Sequence, residues 1–228
     1  MRIRAESLTR IYNMGKSEII AVDNVNFDVS EEEFTAIVGR SGSGKSTLLN
    51  LIGLNDRPSS GKLLINNIDV SGLSNRELRK IRLRRMGFVF QTFNLFPVLS
   101  SVENVELPMA LAGKSRETQR EEAVRLLDAV GLGNRLTHRP KQLSMGEMQR
   151  VAIARALAND PEIVIADEPT GELDSKTAKE IIALLSDIHR TQKKTVIVAT
   201  HDERVVEIVD TVYLIEDGKL TLETRQLQ

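Results

Sequence analysis

Eight consecutive residues, Gly39-Arg40-Ser41-Gly42-Ser43-Gly44-Lys45-Ser46, limit the fold of this chain more than any other feature. They fit the pattern G-x-x-x-x-G-K-[ST], and Thr47 follows them. Glycines let a backbone curl until successive N–H groups point into one concavity. A helix starting there adds the positive end of its dipole. Such a loop needs a buried strand before it and a helix after it. Phe34-Thr35-Ala36-Ile37-Val38 is a short apolar strand pattern, and Thr47-Leu48-Leu49-Asn50-Leu51-Ile52 continues as an apolar helix. The concavity suits phosphate. Lys45 is placed to reach the β- and γ-phosphates of a nucleotide, and the Ser46 hydroxyl to ligate Mg2+.

The rest of the chain agrees with an α/β class. Residues 163–166 and 195–199 are apolar β runs, and a helix pattern over 175–190 separates them. Strands alternating with helices predict a mostly parallel sheet covered on both faces. Residues 3–8 and 19–29 alternate like strands of a small antiparallel sheet, and 62–70 reads as a hairpin turning at Asn66-Asn67. Residues 75–85 form a basic helix and 88–90 a strand. From about 102 to 158 the pattern is helical and reads as an insertion. One helix face within 117–130 carries Ala123, Val124, Leu127 and Val130, with Gly131 and Gly133 ending it. Residues 212–222 predict a hairpin with Asp217-Gly218 at its turn.

Ile163-Val164-Ile165-Ala166-Asp167-Glu168 is a buried-type strand ending in two acids. In a parallel sheet ligands sit at that edge. Asp167 suits Mg2+ held through water, and Glu168 suits orienting or deprotonating an attacking water. Strand alternation points Glu168 to the opposite side of the chain from Asp167. Two solvated acids capping a strand are the plainer alternative, and the phosphate loop upstream weighs against it.

Leu143-Ser144-Met145-Gly146-Glu147-Met148-Gln149-Arg150, followed by Val151-Ala152-Ile153-Ala154-Arg155-Ala156, resembles the signature motif of ATP-binding-cassette proteins. Other motifs of that family follow in register. Tyr12 is similar to its adenine-stacking aromatic and residues 39–47 to its Walker A loop. Gln91 is similar to its Q-loop glutamine, Asp167 and Glu168 to Walker B and the catalytic glutamate, residues 169–174 with Asp174 to its D-loop, and His201 to its switch histidine. The resemblance implies a P-loop NTPase (RecA-like) parallel-sheet core with an antiparallel β subdomain and an inserted α-helical subdomain. The core would span 1–91 and 159–228, and the insert 92–158. It implies ATP and Mg2+ as ligands, with Ser46, Gln91 and Asp167 on the metal and Glu168, His201 and Gln91 in hydrolysis. It also implies a head-to-tail pair, in which Ser144, Met145, Gly146 and Glu147 of one copy meet the ATP of the other.

The signature departs from L-S-G-G-Q: Met145 stands for the first glycine and Glu147 for the glutamine. Ser144-x-x-Glu147 ahead of an apolar helix is also a capping box, Ser144 capping the N–H of Glu147 and Glu147 reaching back. Met145 adds bulk and Glu147 negative charge near an anion, so a weaker or slower ATP sandwich is expected. Glu172 adds a further charge near the expected dimer seam.

Cysteine is absent, which excludes disulfides, thiolate metal sites and cysteine nucleophiles. No apolar run reaches the roughly 18 residues that span a bilayer, and residues 1–6 alternate like a strand and not like a secretory signal. The chain is therefore expected in the cytoplasm, peripheral on the inner face of the membrane, with another protein forming any transport path. Phe93, Leu95 and Phe96 follow Gln91 in a loop where, in transporters of this family, a membrane permease docks. The stretches 88–95 and 102–108 are similar to the lipoprotein-release, macrolide-export and cell-division branch. The competing reading is a soluble cassette ATPase acting on nucleic acid, ribosomes or cluster assembly. A formal net charge of -1 gives no basic excess for nucleic acid. The six cations of residues 76–85 read first as a solvated face.

Overall fold

The computed structural model describes residues 1–15 and 17–225. The chain opens with two long antiparallel strands, β1 (Ile3–Met14) and β2 (Ser17–Val29). Next come β3 (Phe34–Val38), α1 (Lys45–Ile52), and the hairpin of β4 (Ser60–Ile65) and β5 (Ile68–Asp69). α2 (Asn75–Arg85) runs without a loop into β6 (Met86–Val89). Three helices follow: α3 (Ser101–Leu111), α4 (Arg116–Ala129) and α5 (Met145–Leu157). The remainder is β7 (Ile163–Asp167), α6 (Ser175–Gln192), β8 (Thr195–Thr200), the short α7 (Glu203–Val206), β9 (Thr211–Glu216) and β10 (Lys219–Arg225).

Two sheets form. One is antiparallel in the order β2-β1-β4-β5; the other has the order β10-β9-β3-β8-β7-β6. In the second, β3, β6, β7, β8 and β9 are mutually parallel and β10 closes the edge antiparallel to β9. Asp217 and Gly218 both have positive φ, which a two-residue hairpin loop of this twist requires. Asn66 and Asn67 do the same between β4 and β5. β1 extends well past residue 8, because register shifts along it let the strand bend and keep pairing. The strand at 88–90 is shifted to Met86–Val89.

The large sheet is a wall between two cores. Ala36, Val164, Ala166, Val196 and Val198 face one core, with α3 to α6 packed over them. Ile37, Ile163, Ile165, Ile197 and Ala199 face the other, with α1, α2 and the antiparallel sheet. The period of two in strand side chains makes this division, and it explains why these strands are apolar throughout. Helix starts are sharply set. Ser74–Glu77, Ser100–Glu103 and Ser144–Glu147 all form reciprocal capping boxes.

Cations on α2 are partly used internally. Arg85 grips Glu162 through two nitrogens at 2.6 and 2.8 Å, and the Arg82 guanidinium donates to the Leu54 carbonyl.

Candidate active site

The loop after β3 wraps the start of α1 and forms one wall of a cleft of about 840 Å3. Arg40, Ser41, Gly42, Gly44, Lys45, Ser46 and Thr47 line it, and Gln91, Glu168 and His201 face them. Gly39 and Ser43 stand behind the loop; Gly39 offers its carbonyl to Lys45, and the carbonyl of Ser43 receives the Gly218 N–H at 2.9 Å. Gly44 is the position where a side chain is least tolerable. Its φ is +108°, and a Cβ there would lie 2.3 Å from the Ala21 carbonyl oxygen.

Lys45 is buried at the foot of the cleft. Its Nζ donates to the carbonyls of Gly39 and Arg40, at 2.7 and 3.0 Å, and lies 3.5 Å from Glu168 Oε1. β7 ends at Asp167, and Glu168 then takes a left-handed backbone, φ 44°. Its carboxylate enters the cleft with Lys45. His201 Nδ1 is 2.9 Å from Glu168 Oε2. The contact is short but not aligned as a hydrogen bond, so Oε2 has no donor among the described residues.

Asp167 is set deeper. Burial pushes its carboxyl above the ordinary range; the Ser46 hydroxyl opposes this, Glu168 adds to it, and Lys45 opposes it again. Its Oδ1 is buried with no hydrogen-bond partner among the described residues. An under-coordinated carboxylate oxygen beside a hydroxyl is a donor set that fits Mg2+, which takes one or two protein oxygens and keeps waters and phosphate for the rest. Gln91 completes that side. Its Nε2 donates to Glu172 Oε1 at 3.0 Å, leaving the amide carbonyl as the group available to a cation.

A testable consequence follows for Asp167. A raised carboxyl pKa means that the folded chain holds this proton more tightly than the unfolded chain does. The resulting stability is full below the ordinary carboxylate value and is lost as pH rises through the raised one. At neutral pH the ionised group is a cost. Asp167→Asn, without nucleotide and with a chelator, is expected to melt a few degrees higher than the parent at pH 7 and equal to it in acid. Lower melting at pH 7 would show that the ionised carboxylate supports the fold.

The other candidates are placed as follows. Tyr12 lies opposite Ile19 across β1 and β2. Paired residues share a face, and Ile19 and Ile20 line the cleft; Tyr12 is beside that wall without lining it. Its hydroxyl donates to Asp56 Oδ2 at 2.8 Å, and the Arg10 guanidinium sits 4.5 Å from its ring centre. Asp174 caps α6 by accepting the Lys176 and Thr177 N–H groups, both at 3.0 Å. Hydrogen bonds from Thr177 hold its carboxyl below the ordinary range.

Ser144, Met145, Gly146 and Glu147 are not brought to the cleft of their own chain. Ser144 Oγ accepts the Glu147 N–H at 3.2 Å, and Glu147 Oε2 accepts the Ser144 N–H at 2.8 Å. Met145 is 53% exposed. Gly146 is buried against α6, where a Cβ would meet the Thr177 methyl at 2.4 Å. The Glu147 charge is compensated. Its Oε1 accepts from Arg135 Nε at 2.9 Å.

Sequence reasoning missed Gln149. It is fully buried in α5 and donates to the Pro169 carbonyl at 2.7 Å and, at 3.5 Å, to that of Phe90. One amide thus ties the signature helix to the residues just after Glu168 and just before Gln91. The available signal was a glutamine on the apolar face that also carries Ala152, Ile153 and Ala156.

Beside the loop after β6 runs a second groove of about 340 Å3. Leu83, Met86, Phe88 and Phe90 give it an apolar floor, and Arg79, Arg82 and Arg155 flank it. Phe93 and Asn94 have left-handed backbones, and their carbonyls accept the Arg155 guanidinium at 2.8 and 2.5 Å. Phe96 projects at 49% exposure.

The sequence profile of the family described as ABC transporter matches residues 22–171. An uncharacterized ABC transporter ATP-binding protein of Thermotoga maritima is 49% identical over 92% of this chain and 90% of its own. A second, from Methanocaldococcus jannaschii, is 46% identical over 98% and 97%. The macrolide export ATP-binding/permease protein MacB of Hyphomonas neptunium is 44% identical over 99% of this chain, which spans about a third (35%) of that relative. A solved dimeric ATP-binding cassette in a post-hydrolysis state, bound to ADP and Pi, superposes with a TM-score of 0.92 at 44% identity, covering 99% of both chains. With a phosphate loop, Glu168 and His201 on one cleft, and relatives of this closeness, the chain belongs to the ABC transporter family as an ATP-hydrolysing cassette.

Proposed function

We propose that this cassette is the ATPase subunit of an export transporter of the macrolide or lipoprotein kind, working as a head-to-tail homodimer on Mg-ATP beside a separate membrane permease. The observation that carries the reading is the division of the site. Lys45, Glu168 and His201 share one cleft, while the start of α5, with Ser144 and Met145, lies outside it. Such a site is completed by a second copy, and the relative solved as a dimer with ADP and Pi supports that arrangement.

In this reading Tyr12 stacks on adenine. The N–H groups of residues 39–47 and Lys45 hold the phosphates. Ser46, Asp167 and Gln91 hold Mg2+, which when bound draws charge from the phosphate oxygens. Glu168 takes a proton from the attacking water, and His201 contacts the γ-phosphate from the open side of the cleft. Asp174 orders the start of α6 at the seam. Closure reaches the permease through Gln91 and the loop with Phe93 and Phe96, and the permease inserts a short segment into the neighbouring groove. Among the described residues no helix is long and apolar enough to cross a membrane. The proposed place is the cytoplasmic face of the cell membrane, held by the permease, with no nucleic-acid partner.

The test is co-purification. A tagged Glu168→Gln chain is captured from gently solubilised native membranes in Mg-ATP. Recovery of a multi-span membrane protein is the expected result. Recovery of soluble proteins or nucleic acid alone would overturn the transporter reading.

A further inference from the structure

α5 begins with a carboxylate where, in the head-to-tail reading, it meets the triphosphate of a second copy. An uncompensated carboxylate there would repel its ligand, and the repulsion would grow as the seam closed and water left. Both oxygens of Glu147 are engaged. The Ser144 N–H takes Oε2 at 2.8 Å, and Arg135 Nε takes Oε1 at 2.9 Å. The backbone bond from Ser144, joined by Arg135, holds the carboxyl below its ordinary range, so the group is charged at neutral pH.

Arg135 reaches this point from a separate segment, the 3-10 turn Gly133–Arg135. That turn is itself tied down: the Arg135 N–H donates to the Leu132 carbonyl at 2.9 Å, and the Arg135 carbonyl accepts the His138 N–H at 3.0 Å. Only Nε of the guanidinium is used. Its two terminal nitrogens have no hydrogen-bond partner among the described residues, and the side chain is 38% exposed. A cation therefore lies one carboxylate away from the Ser144 N–H.

We propose that Arg135 is the counter-charge of the signature segment, a positioning residue that lets a chain with Glu147 in place of a neutral amide accept the nucleoside triphosphate of its partner. This rests on the head-to-tail reading above. The pair behaves as one neutral unit: removing the cation exposes the carboxylate, and removing the carboxylate as well abolishes the need for the cation.

The experiment is a double-mutant cycle in full-length Glu168→Gln chains, measuring the ATP-dependent monomer–dimer equilibrium by analytical ultracentrifugation with Mg-ATP. Arg135→Gln is expected to weaken the dimer about ten- to a hundredfold. Adding Glu147→Gln is expected to restore it to within about threefold of the parent. The Arg135→Gln deficit is also expected to shrink in high salt, as a screened repulsion must. A purely structural role for Arg135 predicts a deficit that salt does not relieve and a double variant as weak as the single one; either outcome overturns the inference. So does an Arg135→Gln dimer as tight as the parent's. If the parent itself forms no dimer in Mg-ATP, the head-to-tail reading falls and takes this inference with it.

Discussion

Glu168→Gln is expected to keep Mg-ATP binding and to lose turnover by about 10²- to 10³-fold. The substitution keeps the shape of the side chain and removes its ability to take a proton. It also removes a negative charge from a cleft that receives a triphosphate, so binding should hold or tighten. Lys45 loses its carboxylate neighbour at 3.5 Å but keeps the carbonyls of Gly39 and Arg40. The loop therefore has no reason to collapse. Trapped before hydrolysis, the chain should accumulate as an ATP-bound dimer. Steady-state hydrolysis at saturating Mg-ATP, with nucleotide binding measured in parallel, decides the matter. Turnover close to the parent's would remove Glu168 from the role of base and leave water orientation to His201 or Gln91.

Lys45→Ala should have the reverse signature. The lost group is a buried ammonium, and a hydrogen bond to a charged partner contributes about 1.5–3 kcal/mol. Binding of ATP should weaken roughly a hundredfold, since each 1.4 kcal/mol or so is a factor of ten. The fold should survive, because α1 is held by Leu48, Leu49, Leu51 and Ile52 and not by the lysine. Calorimetric titration with Mg-ATP beside a thermal melt separates the two effects. Tight binding by a stable Lys45→Ala chain would mean that phosphate is held elsewhere.

Much of this architecture could be read from local signals. The phosphate loop announces itself by glycines at fixed spacing between a strand and a helix, and all of that information lies within about twenty residues. The Ser144–Glu147 capping box is equally local, and it forms as its spacing predicts. What stayed hidden depends on tertiary approach. Nothing near Glu168 signals its left-handed backbone. Glu147 looked like an uncompensated charge because Arg135 lies across an irregular segment. Tyr12 is read easily as an aromatic at a strand end, but its partner Asp56 is 44 positions away. Gln149 is disguised as one more polar residue in a helix until its burial is known.

The wall between the two cores also bears on how such a chain can drift over generations. α1 and the phosphate loop draw their support from one side, α5 and its neighbours from the other. A substitution such as a larger residue at Ile182 or Leu126 is felt first among α3 to α6, whereas one at Leu51 or Ile165 is felt under the loop. Interiors are close-packed, so each side must be retuned as a unit. The chemistry asked of the loop is the same wherever a triphosphate is cleaved, which limits change on the side that supports it. A lineage can therefore repack the side under α3 to α6 while inheriting the other almost intact.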